Sequence, residues 1–117
     1  MERRRSPRLP VQLSVEARSD DQSMEGVTVN LSLTGACILL KGAPSEFGTI
    51  ELTITFPIEV EGEVEEFQVN FPGVVVRTEP TDSRTVVAVM FQKLPVESEW
   101  ALSKFILAQF KSSSESA

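Results

Sequence analysis

The sequence contains no histidine, no tyrosine and a single cysteine, Cys37, in 117 residues. Each absence removes a class of chemistry. Without an imidazole there is no base for a Ser-His-Asp or Cys-His nucleophile. Without histidine, and with one thiolate, a zinc, haem or iron–sulfur centre has almost no ligands. One cysteine excludes an intramolecular disulfide and fits a reducing compartment. Glycine and proline together supply 13 residues, too few for a collagen-like or low-complexity chain. No apolar run approaches the roughly 18 residues of a membrane-spanning helix. After Met1-Glu2-Arg3-Arg4-Arg5 the apolar stretch of a signal peptide does not follow, because Pro7 and Pro10 interrupt. The expectation is a soluble, cytoplasmic protein with no membrane insertion.

Basic charge is scarce too. Eleven Lys and Arg stand against 17 Asp and Glu, a net charge of −6, which argues against a nucleic-acid polymer as partner. The basic side chains are unevenly placed: Arg3, Arg4, Arg5 and Arg8 fall within the first eight residues, leaving seven basic against sixteen acidic groups in the rest. A flexible basic arm over residues 1–9 therefore precedes an acidic body over 10–111, and residues 112–117 form a polar tail. By charge alone the arm reads as a solubilising terminus or as a tail held by the field of the body.

From Val11 the hydropathy period is two. Val11, Leu13, Val15 and Ala17 alternate with polar residues, as do Val27, Val29 and Leu31, and then Ile50, Leu52, Ile54 and Phe56; each set reads as a strand with one buried face. Ala36–Leu40, Phe67–Arg77 and Thr85–Phe91 supply three more. Pro57 is expected to close the fourth strand, and Pro72-Gly73 to bend the fifth. The carboxylates of Glu59–Glu66 read as a solvated hairpin tip and lack the spacing of a calcium loop. After Pro95 the period changes: Leu102, Phe105, Ile106, Gln109 and Phe110 follow helical spacing, which predicts one amphipathic helix of about 14 residues. The class is all-β dominated, a barrel or sandwich of six antiparallel strands with one C-terminal helix.

Two short elements carry candidate chemistry. Arg4 and Arg8 lie four apart in a segment that Pro7 and Pro10 keep out of a helix, and the guanidinium fork matches phosphate oxygens or the O6/N7 edge of guanine. Asn30-Leu31-Ser32-Leu33-Thr34-Gly35 joins two strands, with Asn30 and Ser32 on one face and Leu31 on the other. Gly35 permits either a positive φ or a close backbone approach. Taken alone, this hexapeptide is also an ordinary polar turn.

In this order, on six strands and a helix, the two elements resemble the PilZ domain, a bacterial receptor module for cyclic di-GMP. That family carries R-x-x-x-R before its barrel and [D/N]-x-S-x-x-G between later strands, matched here by Arg4 and Arg8 and by Asn30, Ser32 and Gly35. Gly73–Arg77 and Val87–Phe91 also look like the family's later strands. The resemblance covers about residues 2–110 and implies a six-stranded antiparallel PilZ-type β-barrel. It implies no catalysis and no cofactor. The implied ligand is cyclic di-GMP, bound by Arg3, Arg4, Arg5, Arg8, Asn30, Ser32 and Gly35. The implied output is a signal to a separate effector protein, read from the arm as it folds over the ligand. A ligand-independent interaction module of the same fold is the alternative. In the family, an arginine directly before R-x-x-x-R goes with binding an intercalated pair of ligands. Arg3 holds that position and Arg5 adds charge beside it, which favours two molecules per chain.

Overall fold

Alternation of polar and apolar side chains builds most of the chain into strands, in a computed structural model that describes residues 8–116. The elements are β1 (Leu9–Pro10), β2 (Ser14–Ser19), β3 (Gln22–Leu31), β4 (Gly35–Leu40), β5 (Thr49–Val60), β6 (Glu63–Pro80), β7 (Thr85–Phe91) and α1 (Val96–Ser116). All strand pairings are antiparallel, in the order β1-β3-β2-β5-β6-β7-β4, and β4 also pairs with β3. That last pairing closes six strands, β2 to β7, into a ring. The expected six-stranded antiparallel architecture is therefore present, with the two-residue β1 added to it.

Turn chemistry sets two of the hairpins. Asp20 and Asp21 both hold positive φ, 50° and 63°, between β2 and β3, and Glu61 (53°) and Gly62 (83°) do the same between β5 and β6. Positive φ at both central residues gives a turn whose twist matches the flanking strands. The acidic tip of the β5–β6 hairpin is exposed, as its charges require.

The core fills the ring. Val15 and Ala17 of β2, Ile38 and Leu40 of β4, Leu52, Ile54 and Phe56 of β5, Val75 of β6 and Val87 of β7 are all buried. α1 closes over β5 and β6 with Ala101, Leu102, Phe105 and Ile106, all buried. Phe56 lies 5.3 Å from Phe105 and 5.8 Å from Phe71, centroid to centroid and tilted, an arrangement favoured by the ring quadrupoles. At the start of α1 the Pro95 carbonyl accepts from Ser98 N at 3.1 Å and Glu99 N at 3.0 Å, while Ser98 Oγ, itself buried, donates to the Asn70 carbonyl. Trp100 packs edge-on against Phe67 at 5.5 Å with Lys104 above its ring. No helix among the described residues is long and apolar enough to cross a membrane.

Several details differ from the sequence-based expectations. Pro57 does not end its strand: β5 runs on to Val60, because β2 covers only Glu51–Ile54 of β5, and beyond that a proline's missing N–H can face a free edge. β6 runs on through Pro72-Gly73, as expected, with regular pairing to β5 there, and its bulge falls instead between Val75 and Arg77. α1 has 21 residues rather than about 14 and takes in most of the expected polar tail; no glycine or proline follows Pro95 to stop it, and serine costs a helix little. Of its expected apolar stripe, Gln109 is half-buried and Phe110 exposed. Leu9, at the end of the expected arm, lies opposite Leu31 in β3; residues 1–7 of that arm lie outside the described residues.

Candidate functional site

β1 and β2 occupy the same edge of β3, one after the other. Pro10 lies opposite Asn30 and Ser14 opposite Val27. The intervening link is held by Thr28, only 2% exposed. Its Oγ1 accepts from Leu13 N at 2.8 Å and donates to the Val11 carbonyl. This brace fixes where the chain enters the ring, and so it fixes Arg8. Arg8 Nη1 donates to Asn30 Oδ1 at 2.9 Å. The described parts of the two sequence elements, 22 residues apart, are thus in direct contact.

Asn30 faces outward because β3 carries a bulge. Pairing with β4 shifts between Thr28 and Asn30, so that Val29 is an extra residue. Met24 and Thr28 point inward before it and Leu31 points inward after it, while Val29 is 44% exposed. The expectation that Val27, Val29 and Leu31 share a buried face is thereby corrected: an inserted residue reverses the alternation.

Ser32 departs from the expected surface role. It is 4% exposed, and its Oγ accepts from Thr34 N and Gly35 N, each at 3.2 Å. Ser32 N donates to the Gly35 carbonyl at 2.9 Å. The hydroxyl therefore holds the β3–β4 turn closed instead of standing beside Asn30, a common use of serine at a tight turn. Gly35 resolves the choice left by its sequence. Its φ is not positive; a Cβ there would lie 2.4 Å from the Val89 carbonyl oxygen of β7. The glycine permits two backbones to approach. Arg3, Arg4 and Arg5 lie outside the described residues.

Two groups near this cluster were not singled out by sequence. Cys37 of β4 lies directly opposite Asn30. Burial pushes its thiol above the ordinary value, Arg8 and Arg77 pull against that rise, and Glu79 adds to it. Arg77 of β6 is therefore close enough to share a field with Arg8. A period of two counted from Phe71 and Val75 would turn Arg77 inward, and only the bulge at Val76 turns it out. Nothing in the uniform run Val74–Val76 signals that insertion. On the other side of the turn, an open groove of about 560 Å³ is lined by Leu33, Thr34, Met90, Leu94 and Leu102.

The described residues thus form a closed antiparallel ring with Arg8 and Asn30 joined on its outer wall beside a braced entry segment. A match to the family model for the PilZ domain spans residues 2–108. The chain belongs to the PilZ domain family. Among solved structures, it is similar to Bacillus subtilis MotI/DgrA, an inhibitor of motility, with TM-score 0.74 and 19% identity over 95% of this chain and 53% of that one. It is similar to the PilZ domain of YcgR from Escherichia coli, solved with c-di-GMP, with TM-score 0.67 and 16% identity over 98% and 97% of the two chains. It is also similar to the K. pneumonia MrkH–c-di-GMP complex, with TM-score 0.66 and 14% identity over all of this chain and 57% of that one. The chain thus spans about half the length of MotI/DgrA and of MrkH. At these identities the likeness is one of fold. No curated protein matches the chain.

Proposed function

We propose that this chain is a receptor for cyclic di-GMP whose arginine arm folds over the ligand and so signals to a separate effector protein. The observation that carries the reading is the 2.9 Å hydrogen bond from Arg8 to Asn30, which joins the R-x-x-x-R and N-x-S-x-x-G elements at one place on the ring. Family membership supports the ligand, as do two structural relatives solved with c-di-GMP.

The chemistry fits. A cyclic dinucleotide presents two phosphates and two guanine bases. Arg4 and Arg8 offer forks that bind phosphate oxygens or a guanine edge bidentately. Asn30 already holds one guanidinium in place, which lowers the entropy lost when that side chain is ordered by ligand. Arg3, Arg4, Arg5 and Arg8 repel one another in the free arm, and a dianionic ligand offsets that repulsion. Ser32 and Gly35 contribute by shaping the turn beside Asn30. Arg3, directly before Arg4, supplies the charge for a second, intercalated ligand molecule.

Isothermal calorimetry with cyclic di-GMP, and with single-stranded RNA of matched charge, tests the reading. The dinucleotide should bind and the RNA should not. Ligand at a hundredfold excess over its Kd should stabilise the fold by about 2.7 kcal/mol. Arg8→Ala should weaken binding by on the order of 1–3 kcal/mol with little loss of stability. A folded protein that gives neither heat nor a shift in Tm with cyclic di-GMP would leave the ligand-independent module as the better account.

A further inference from the structure

α1 is apolar on two faces. Ala101, Leu102, Phe105 and Ile106 are buried against the ring, and Ser98 is buried with them. Val96, Trp100, Leu107 and Phe110 are nevertheless exposed, Val96 to 85% and Leu107 to 68%. At the helical repeat, Val96, Trp100, Ser103 and Leu107 fall in one line on the side away from the ring, with Phe110 at its edge. The steps along this line are four, three and four residues, the a/d spacing of a coiled-coil seam. Over residues 96–110 the seam is about 22 Å long. One apolar stripe suffices to hold a surface helix to its own core, so a second stripe on the opposite side marks a contact with another molecule.

The occupant that fits this seam is a second copy of it, running antiparallel. About a two-fold axis level with Ala101 and Leu102, Trp100 lies opposite Ser103 of the other copy, and Val96 opposite its Leu107. Each layer sets a larger side chain against a smaller one, the condition for knobs to fill holes. A parallel pair would set Trp100 against Trp100 and Ser103 against Ser103, crowding one layer and emptying the next. Charge agrees with the antiparallel choice. The same register brings Glu97 beside Lys104 of the other copy, twice over by symmetry, and both side chains are exposed. On the other flank Glu99 meets Ile106 rather than a like charge. Glu97 and Glu99 also border the stripe with negative charge, which disfavours an anionic lipid surface as the occupant.

We infer that the chain forms a two-fold symmetric homodimer through the outer face of α1, with Val96, Trp100, Ser103 and Leu107 as its antiparallel seam and Glu97–Lys104 pairs along its flank. The same patch serves both copies, so the contact closes at two. It lies on α1, whereas Arg8 and Asn30 meet where β1 pairs with β3, and it does not depend on the cyclic di-GMP reading. A single helix seam is small beside a standard interface, so dimer and monomer should exchange with concentration.

Sedimentation velocity on the intact chain, over a concentration series reaching about 1 mM, measures the association. Trp100 is the sole tryptophan, so its emission should shift to the blue as the dimer fills and the indole leaves water. Leu107→Glu changes an exposed side chain, so the monomer should keep its Tm while the dimer Kd rises by at least on the order of tenfold. Glu97→Lys should weaken the dimer about fivefold by setting a like charge against Lys104, and adding Lys104→Glu should restore it. That rescue reports on the antiparallel register, because within one chain the two positions stand ~10 Å apart along the helix. A wild type that stays monomeric throughout the series, with Trp100 emission unchanged, would overturn the proposal. So would a Leu107→Glu protein that dimerises as the wild type does. A charge swap that fails to rescue would overturn the antiparallel register.

Discussion

Gly35→Ala tests whether the motif glycine serves the fold or the ligand. A Cβ at position 35 would sit 2.4 Å from the Val89 carbonyl oxygen. Carbon–oxygen contacts close at about 3.3 Å, so β4 and β7 must part by about 0.9 Å. The oxygen belongs to a ladder strand and cannot rotate away as a side chain would. The nearest hydrogen bond, Phe91 N to the Thr34 carbonyl at 2.9 Å, would then stretch beyond useful range. Overpacking of this kind costs about 1–3 kcal/mol and the lost bond about 1 kcal/mol. Alanine's smaller unfolded-state entropy returns roughly 0.5 kcal/mol. The net expectation is about 1.5–3.5 kcal/mol, a fall in Tm of roughly 10 °C for a chain this size. Thermal unfolding by circular dichroism, beside Gly62→Asn as reference, measures it. Gly62 has φ 83° and nothing within 4 Å of a built Cβ, so an asparagine there should cost less than about 1 kcal/mol. A Gly35→Ala protein that melts within about 2 °C of wild type would show that the β4–β7 approach does not explain this glycine.

Three further outcomes follow from the same geometry. Thr28→Val keeps the shape of the side chain but strands the buried Leu13 N–H, and urea unfolding should show a loss of about 2 kcal/mol; because Thr28 also places Arg8, ligand affinity should fall with it. Arg3→Leu should lower the calorimetric ratio of cyclic di-GMP to protein from about two toward about one, as the second pair of phosphates loses a fork; a wild-type ratio of about one would exclude the intercalated pair. Alkylation of Cys37 should be slower than that of free cysteine at neutral pH. Burial raises its pKa, so less thiolate is present at a given pH, and the rate should climb only in alkaline solution. Saturating ligand should slow it further, and equal rates with and without ligand would place the dinucleotide elsewhere.

What could be read from sequence was whatever leaves a compositional trace. Val15, Ala17, Leu52, Ile54 and Phe56 alternate because one side of each strand is buried and the other wet, and the structure keeps them inside. Leu102, Phe105 and Ile106 mark the buried face of α1 for the same reason. The family resemblance put Arg8 and Asn30 in one ligand set, and the hydrogen bond between them is visible only in the structure. Insertions, by contrast, leave no trace. An extra valine among valines at 76, or between Thr28 and Asn30, changes which face follows without changing what the residues are. Arg77 was hidden for that reason, and Val29 was wrongly assigned to the core. The face shared by Asn30 and Ser32 was misread, because a serine turned toward solvent and one closing its own turn have the same sequence. Pro57 misled because a proline ends a strand only where its N–H is needed, and that depends on which neighbour stops where.

The way β1 and β2 share an edge of β3 gives the entry segment a defined pivot. Leu9 and Pro10 are clipped to the last two residues of β3, immediately before Ser32, and Thr28 pins the link behind them. A displacement of Leu9 and Pro10 would therefore act first on Asn30 and Leu31, the residues that lead into the β3–β4 turn. The ring acts as a chassis, and the turn with the groove beside it, lined by Leu33, Thr34 and Met90, is the lever's short arm. On the proposed function, an effector protein docking at that groove would meet the turn that Asn30 and Leu31 lead into.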